Sequence, residues 1–428
     1  MIWRRVYAGI TYLLVPVVFG YFAWRARREP AYRDHWRERL GYVDSATGQT
    51  LWVHAASVGE VILVTPLIEA LIERYPDHHI LLTTFTPTGR DEARRRLGDR
   101  VARSYLPLDT PGATRRFLHR AQPSLGILAE TELWPNLIAA TARAEVPLVL
   151  VNASLSARSA ARYQRWPLSL AARFMLTRFD RIAAAEPEHG ERFIAAGARA
   201  GTVEVTGNLK YDRRENQEAE SAALELRRTW QAMTRPVWLA ASTHATEEAQ
   251  LIDAFAALRR RHPDLLWVIA PRHPQRFDEV AELLGHTEWR YARRRHGDQV
   301  DNRTDIVLAD TLGELDMFYA LADVAFVGGS LVPGIGGHNI IEPAAAACMF
   351  VTGPHIDEWR EAMALMVDVG GAAVAPGPDD VVDVTEHWLD DAVLRQRAGR
   401  SLAAVAASHR GALVRTLKVL EEVIRVPF

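Results

Sequence analysis

From Leu51 onward the chain alternates short apolar runs with amphipathic stretches, and it does so in two successive series. A strand in a sheet covered on both faces reads as a nearly continuous apolar run, and alternation of such runs with helical stretches implies βαβ units and parallel pairing. In the first series Leu51–Ala55, His79–Thr84, Leu125–Leu128, Pro147–Val151 and Arg181–Ala185 are predicted as strands, with helices over Val61–Arg74 and Gly89–Leu97. Glu204–Asp212 then reads as a short polar junction, and Asn216–Gln231 as a charged helix. A second series follows at Val237–Ala241, Leu265–Ile269, Ile306–Leu308, Val324–Val327 and Met349–Thr352, and Ala392–Val426 is helical in pattern. One open sheet with this many strands would exceed the usual limit. The expectation is therefore α/β, with two Rossmann-like domains facing across a cleft. The divisions fall at residues 1–28, 29–205 and 206–428, and the last helices return to the first domain.

Residues 1–28 hold a different signal. Val6–Trp24 carries no charge, and its 19 residues as a helix reach about 28 Å, close to the hydrocarbon thickness of a bilayer. Arg4 and Arg5 precede the run, and Arg25, Arg27, Arg28, Arg33, Arg37 and Arg39 follow it. No small-residue cleavage site follows, so a secretory signal is not indicated. The heavier basic flank puts the bulk of the protein on the cytoplasmic side of a membrane, with the arginines favouring an anionic lipid surface. Pro16 and Gly20 interrupt the run, and Tyr12, Phe19, Tyr21, Phe22 and Trp24 populate it. A spanning helix and one lying in the interface both remain open.

The composition excludes several classes. A net charge of −2 over 428 residues is no polycation for nucleic acid. Cys348 is the single cysteine, so neither an intrachain disulfide nor a cysteine zinc cage can form. No Asp-x-Asp triplet, His-x3-His or His-Glu-x-x-His spacing occurs, and the expectation is no metal and no cofactor. Neither a Walker loop nor a dinucleotide Gly-x-Gly-x-x-Gly follows the first strand, which removes most support for ATPase and dehydrogenase readings.

In open α/β sheets, ligands sit beyond the carboxyl ends of the strands. Strand Leu51–Ala55 delivers Ser57, Gly59 and Glu60 to that edge. Ser57 can cap the next helix, and Glu60 is either dipole complementarity in a first turn or a base for an acceptor hydroxyl. Strand Leu125–Leu128 delivers Glu130-Thr131-Glu132. On an extended chain the two carboxylates share a face, and they either raise one another's pKa or cap the helix near Pro135. Lys210, one of only two lysines among 51 basic side chains, suggests a position that wants a compact ammonium. In the second series the strand ends are Ser242-Thr243-His244, Pro271-Arg272-His273-Pro274, Asp310 to Glu314, and Gly328-Gly329-Ser330 with Gly334 to Glu342. Arg272 is a natural phosphate partner, the glycine turn exposes amides to an anion, and Glu342 can bind ribose hydroxyls.

Eight runs in order resemble the bacterial Kdo (3-deoxy-D-manno-octulosonic acid) transferases of lipopolysaccharide synthesis. They are Ala31-Tyr32-Arg33, His54 to Glu60, Glu130 to Asn136, Leu155 to Ser159, Thr206 to Lys210, Pro271 to Pro274, Gly328 to Leu331, and Gly336 to Asn339. Two departures stand out. Val332 to Ile335 is one residue longer than usual, and Ile356-Asp357-Glu358-Trp359 replaces the usual Asn and Phe after Gly353-Pro354-His355. The resemblance implies the GT-B glycosyltransferase fold, CMP-β-Kdo as donor, lipid A precursor as acceptor, and inversion at the anomeric carbon. It implies Glu60 as general base, with Glu130 and Lys210 as transition-state stabilisers. It places CMP at Pro271, Arg272, Leu312, Gly313, Glu314, Asn339, Ile340, Ile341 and Glu342. The competing readings are a GT-B transferase using a UDP- or GDP-sugar, a sugar-nucleotide epimerase, and a membrane-anchored sugar-nucleotide binder without catalysis.

Overall fold

The computed structural model describes residues 2–44, 48–212, 217–356 and 359–424. Asn216, Asp357, Glu358 and Val426 lie outside the described residues. Two compact units are formed, one by Met1–Asp212 with Arg410–Phe428 and the other by Arg213–His409.

The first unit is built on a parallel seven-stranded sheet in the order β3-β2-β1-β4-β5-β6-β7. Its strands are β1 Thr50–His54, β2 His79–Thr84, β3 Ala102–Tyr105, β4 Pro123–Ala129, β5 Leu148–Ala153, β6 Arg181–Ala184 and β7 Val203–Val205. Alternate residues of β1, β4 and β5 enter two separate cores. Trp52, Leu128 and Leu150 face Phe117 and Phe179 on one side, while Val53, Ile127 and Val149 face Val64 and Ile68 on the other. Both faces are buried because helices cover both. Gly126 stands opposite Trp52, and a Cβ there would come 2.6 Å from Leu148 and 2.9 Å from Trp52, so the indole occupies the room a side chain would need.

The helical pattern at the C-terminus is broken into Ala392–Ser408 and Ala412–Ile424, with Gly411 at φ +93 between them. The second helix belongs to the first unit, where Leu417, Val419, Leu420 and Val423 join the core around Val64. Residues 206–212 stay there as well. Asp212 accepts hydrogen bonds from the amides of Gly411 and Leu413, and Arg415 Nε donates to Thr206 O at 2.7 Å.

The N-terminal helix runs from Ile2 to Arg25 and is long and apolar enough to cross a membrane by length and composition. Both of its ends rest on the first unit. Near the start, Trp3 packs edge-on against Phe174, and Tyr7 donates to Asp109 at 2.9 Å. Near the end, Phe22 is buried with Tyr32, beside Trp36 and Phe85. The outward face carries Val6, Ile10, Leu13, Leu14, Val17, Tyr21 and Trp24, all exposed, with Leu13 at 77% and Val17 at 63%. The basic flank does not all face outward as expected. Arg39 is fully buried, with its guanidinium 4.3 Å from the Phe22 ring and 4.0 Å from that of Tyr105, and it donates to Phe85 O. Arg27, Arg28, Arg33 and Arg37 are exposed.

The second unit repeats the architecture with the parallel order β10-β11-β9-β8-β12-β13-β14. The strands are β8 Val237–Thr243, β9 Leu266–Pro271, β10 Tyr291–Arg293, β11 Ile306–Leu308, β12 Val324–Val327, β13 Met349–Thr352 and β14 Ala372–Val374. Trp238 and Trp267 stack at 5.5 Å on adjacent strands, and Phe255 closes on Trp267 at 5.3 Å.

Candidate active site

In the first unit, the carboxyl ends of β1, β4 and β5 carry the candidate reacting groups. β1 passes into Ser57, which caps helix Val58–Arg74 by accepting from Glu60 N at 3.3 Å. The Glu60 side chain turns back over the cap. Its Oε2 accepts from Ala56 N at 2.8 Å, and its Oε1 accepts from Ser57 Oγ at 3.0 Å. These contacts fix the carboxylate and by themselves lower its proton affinity, while each oxygen keeps lone-pair capacity for a proton. Glu60 is half-buried. Burial, and after the Ala56 amide the charge of Glu132, set its proton affinity, and the balance lies above the usual carboxylate range.

Glu132 belongs to the same cluster. His54, the last residue of β1, is fully buried and places Nε2 3.6 Å from Glu132 Oε2. Its Nδ1 lies 3.0 Å from both Thr83 O and Thr83 Oγ1, which fixes the ring. Trp134 Nε1 donates to Glu132 Oε2 at 2.6 Å. Burial raises the Glu132 pKa, but the His54 contact and the indole outweigh it, and the group is held below the usual range. The two neighbouring carboxylates are thus pushed apart, with Glu60 the better proton acceptor.

The extended-chain expectation for Glu130 and Glu132 fails. β4 ends at Ala129 and Glu130 takes φ +57, so strand alternation does not reach these residues. Nor do they cap the next helix, Pro135–Arg143. Asp109 does so from a distant loop, accepting from Asn136 N at 3.1 Å and Leu137 N at 2.8 Å. Glu130 stays at the sheet edge, where its amide donates to Val151 O at 2.9 Å. Lys210 lies on the turn Leu209–Tyr211. Asn152, at φ +50 near the end of β5, holds that turn by accepting from Leu209 N at 2.8 Å. Glu60, Glu130 and Lys210 are therefore brought to one edge, by β1, β4 and β5 respectively.

In the second unit the anion-compatible loops again gather at the strand ends. Pro271 ends β9, and the next residue, Arg272, is exposed with its amide bonded to Thr243 O at 3.0 Å. Three imidazoles surround this position. His244 and His338 stack 5.1 Å apart with their Nε2 atoms at 2.8 Å, and His273 meets His244 edge-on at 5.2 Å. Burial, then the Arg272 charge, then the other imidazoles push the His338 pKa down to about 3. Burial and Arg272 also lower His244 and His273, so all three are neutral near pH 7 and the local positive charge is that of arginine.

The acidic residues after His244 turn inward. Glu247 is fully buried and accepts from the amides of Gly329, Ser330, Leu331 and His244 at 2.8 to 3.1 Å, which shapes the glycine loop. Glu248 pairs with Arg276 at 2.7 Å. Leu312 is exposed and Gly313 takes φ +84. The Glu314 carboxylate is held bidentately by Arg294 at 2.9 and 3.1 Å and accepts from Thr311 at 2.5 Å; the Arg294 contacts first, then Thr311, keep its pKa low. Asn339 accepts from Ile341 N at 2.9 Å and donates to Glu342 at 3.2 Å. Ile340 and Ile341 are fully buried as whole residues, and the Ile341 amide is taken by Asn339.

Comparison with known proteins places these sites in a family. The family description "3-Deoxy-D-manno-octulosonic-acid transferase (kdotransferase)" matches residues 34–213. The 3-deoxy-D-manno-octulosonic acid transferase of Haemophilus influenzae is 38% identical over 423 residues, covering 98% of each chain. That of Bordetella pertussis is 39% identical over 434 residues, covering 98% of this chain and 99% of its own. The chain belongs to the Kdo transferase family. It is a glycosyltransferase that moves Kdo. A glycosyltransferase from Rickettsia africae superposes with a TM-score of 0.57 at 11% identity, over 89% of this chain and 100% of its own, and shares the fold. The architecture is GT-B.

His54, Asp109 and Asn152 are the positioning residues that sequence reasoning passed over. A histidine ending a wholly apolar strand was the one available signal for the first. Asp109 and Asn152 act across the fold and carry no local mark.

Proposed function

We propose that the chain transfers Kdo from CMP-β-Kdo to lipid A precursor with inversion, and that Glu60 is the general base. The observation carrying this reading is the Glu60 carboxylate, fixed by Ala56 N and Ser57 Oγ at a sheet edge and raised in proton affinity by burial and by Glu132. The acceptor hydroxyl oxygen forms its bond to the anomeric carbon as the bond to the CMP phosphate breaks, and the hydroxyl proton passes to Glu60. Glu130 and Lys210 stabilise charge in the transition state, and Arg272 offsets charge on the departing phosphate. CMP is held by Pro271, Arg272, Leu312 to Glu314 and Asn339 to Glu342. With Glu314 paired to Arg294 and Ile340 and Ile341 wholly buried, contact at these two loops falls mainly to the exposed Leu312 and Gly313 and to the half-buried Asn339 and Glu342. The reading invokes no metal and no cofactor.

We also place the enzyme at the cytoplasmic surface of the inner membrane, against anionic lipids. The N-terminal helix lies in the interface, because both ends rest on the first unit while the outward stripe from Val6 to Trp24 stays apolar and exposed.

A base works only when deprotonated. With the Glu60 pKa raised, kcat/KM falls as the pH drops through a value above the ordinary carboxylate range. The test is the pH profile of wild type and Glu60→Gln. An acid limb present in wild type and absent in the variant supports the assignment. An identical limb in both assigns the proton transfer elsewhere.

A further inference from the structure

A cavity of about 740 Å³ lies between the start of the N-terminal helix and helices Pro111–Ala121 and Pro135–Arg143, all within the first unit. Arg4, Arg5, Arg115, His119 and Arg143 line it, and none of its lining residues is acidic. Among the described residues none of these five side chains has a carboxylate partner. Arg143 and His119 stand in the last turns of their helices, where the helix dipole favours cations. That accounts for two of the five. Arg4 is held over the Phe174 ring at 4.6 Å, while Arg178 covers the same ring at 3.6 Å. Burial, then the like charges of Arg143 and Arg178, all act against the charge on Arg4, and its Nε is shut off from solvent without a hydrogen-bond partner. Like charges gathered without a counter-charge repel one another at a cost to the fold, and an anion removes that cost.

The volume sets the kind of anion. It falls within the roughly 300–1,000 Å³ of organic-ligand pockets, far more than an inorganic anion fills. Ala8, Leu118, Ala140 and Ala144 supply an apolar wall, and Thr114 and Asn136 add two uncharged polar side chains. Tyr12 sits at the border, half-exposed, with its hydroxyl accepting from Gly112 N at 2.9 Å. Beyond it begins the exposed stripe of Val6, Ile10 and Leu13. A ligand seated here has an anionic head among arginines and an apolar part continuing onto that stripe.

We propose that this cavity is a discrete binding site for an anionic glycerophospholipid, with the head-group phosphate among Arg4, Arg5, Arg115 and Arg143 and the acyl chains along the exposed face of the N-terminal helix. It differs from the diffuse attraction of Arg27, Arg28, Arg33 and Arg37, which follow the other end of that helix. It also differs from the acceptor site. Arg143 stands at the C-terminal end of Pro135–Arg143, whereas the reacting edge lies before the start of that helix, about 13 Å away by helix length, and the one lining residue at that start, Asn136, is uncharged. The site does not depend on which sugar is moved.

The test titrates the full-length protein, in neutral detergent, with dihexanoyl phosphatidylglycerol, dihexanoyl phosphatidylcholine and inorganic phosphate. Calorimetry reads affinity and native mass spectrometry reads stoichiometry. One phosphatidylglycerol per chain is expected, with phosphatidylcholine and phosphate each at least tenfold weaker. Arg4→Gln with Arg143→Gln weakens phosphatidylglycerol at least tenfold. Ala144→Trp does the same by filling the cavity with every arginine in place, and so tests the proposal should the double variant fold poorly. Arg27→Gln with Arg28→Gln leaves binding unchanged. In all variants KM for detergent-dispersed acceptor stays within twofold. Absence of saturable binding, equal binding of phosphatidylcholine, phosphate binding as tight as lipid, or a parallel rise in acceptor KM would each overturn the proposal, the last by making the cavity an acceptor subsite.

Discussion

Glu60 has two roles that two substitutions separate. In Glu60→Gln the amide oxygen can still accept from Ala56 N, and the amide N–H can donate to Ser57 Oγ, so both capping contacts survive in neutral form. Charge-assisted bonds are roughly twice as strong as neutral ones, so the stability loss is about 0.5–1 kcal/mol. Glu60→Ala removes both contacts and leaves the Ala56 amide without its acceptor, at about 2–3 kcal/mol. Turnover behaves differently. Neither Gln nor Ala accepts a proton, so both variants lose ~10²–10⁴-fold in kcat, about 2.7–5.5 kcal/mol of barrier. The assay pairs denaturant unfolding with CMP release from CMP-Kdo, and calorimetry confirms that CMP affinity is retained. Equal loss of turnover with unequal loss of stability supports the base. If Glu60→Gln keeps more than a tenth of wild-type turnover while Glu60→Ala loses it, Glu60 is only a helix cap and the mechanism is wrong.

Lys210→Arg keeps the charge but replaces a compact ammonium with a planar fork, so turnover should fall at least tenfold with CMP affinity unchanged; wild-type rates would reduce the lysine to chance. Leu13→Glu with Val17→Glu places charge on the most exposed part of the N-terminal helix, away from its packed face. Sedimentation with anionic vesicles should drop at least tenfold while the melting temperature stays put, and unchanged sedimentation would remove that face from membrane contact. His338 carries a folded pKa of about 3 against an ordinary 6.5, so the unfolded chain binds more protons between these values. Stability of the second unit should therefore fall as pH drops from about 6.5 toward 3, and His338→Asn should flatten that slope; an unchanged slope in calorimetric melts would place the neutral histidine elsewhere.

The central strands were legible because they are buried on both faces, and the apolar runs at His79–Thr84, Ile306–Leu308, Val324–Val327 and Met349–Thr352 match the observed strands residue for residue. The four strands that the sequence did not announce, β3, β7, β10 and β14, are the four sheet edges. An edge strand is paired on one side only and need not be apolar, and Ala102-Arg103-Ser104-Tyr105 or Tyr291-Ala292-Arg293 carries no strand periodicity. The same contrast holds at the site. Ser57 announces itself as a helix cap by its place between an apolar strand and a helical run, and it caps that helix. The left-handed turn at Glu130 and the capping of helix Pro135–Arg143 by Asp109 depend on contacts distant in sequence, which local pattern does not encode.

The most direct measurement is a mass spectrum of lipid A precursor after incubation with the full-length protein and CMP-Kdo. The account predicts mass increments of whole Kdo residues, with one CMP released per residue added. An acceptor left unmodified by CMP-Kdo but extended when a UDP- or GDP-sugar is supplied would contradict it.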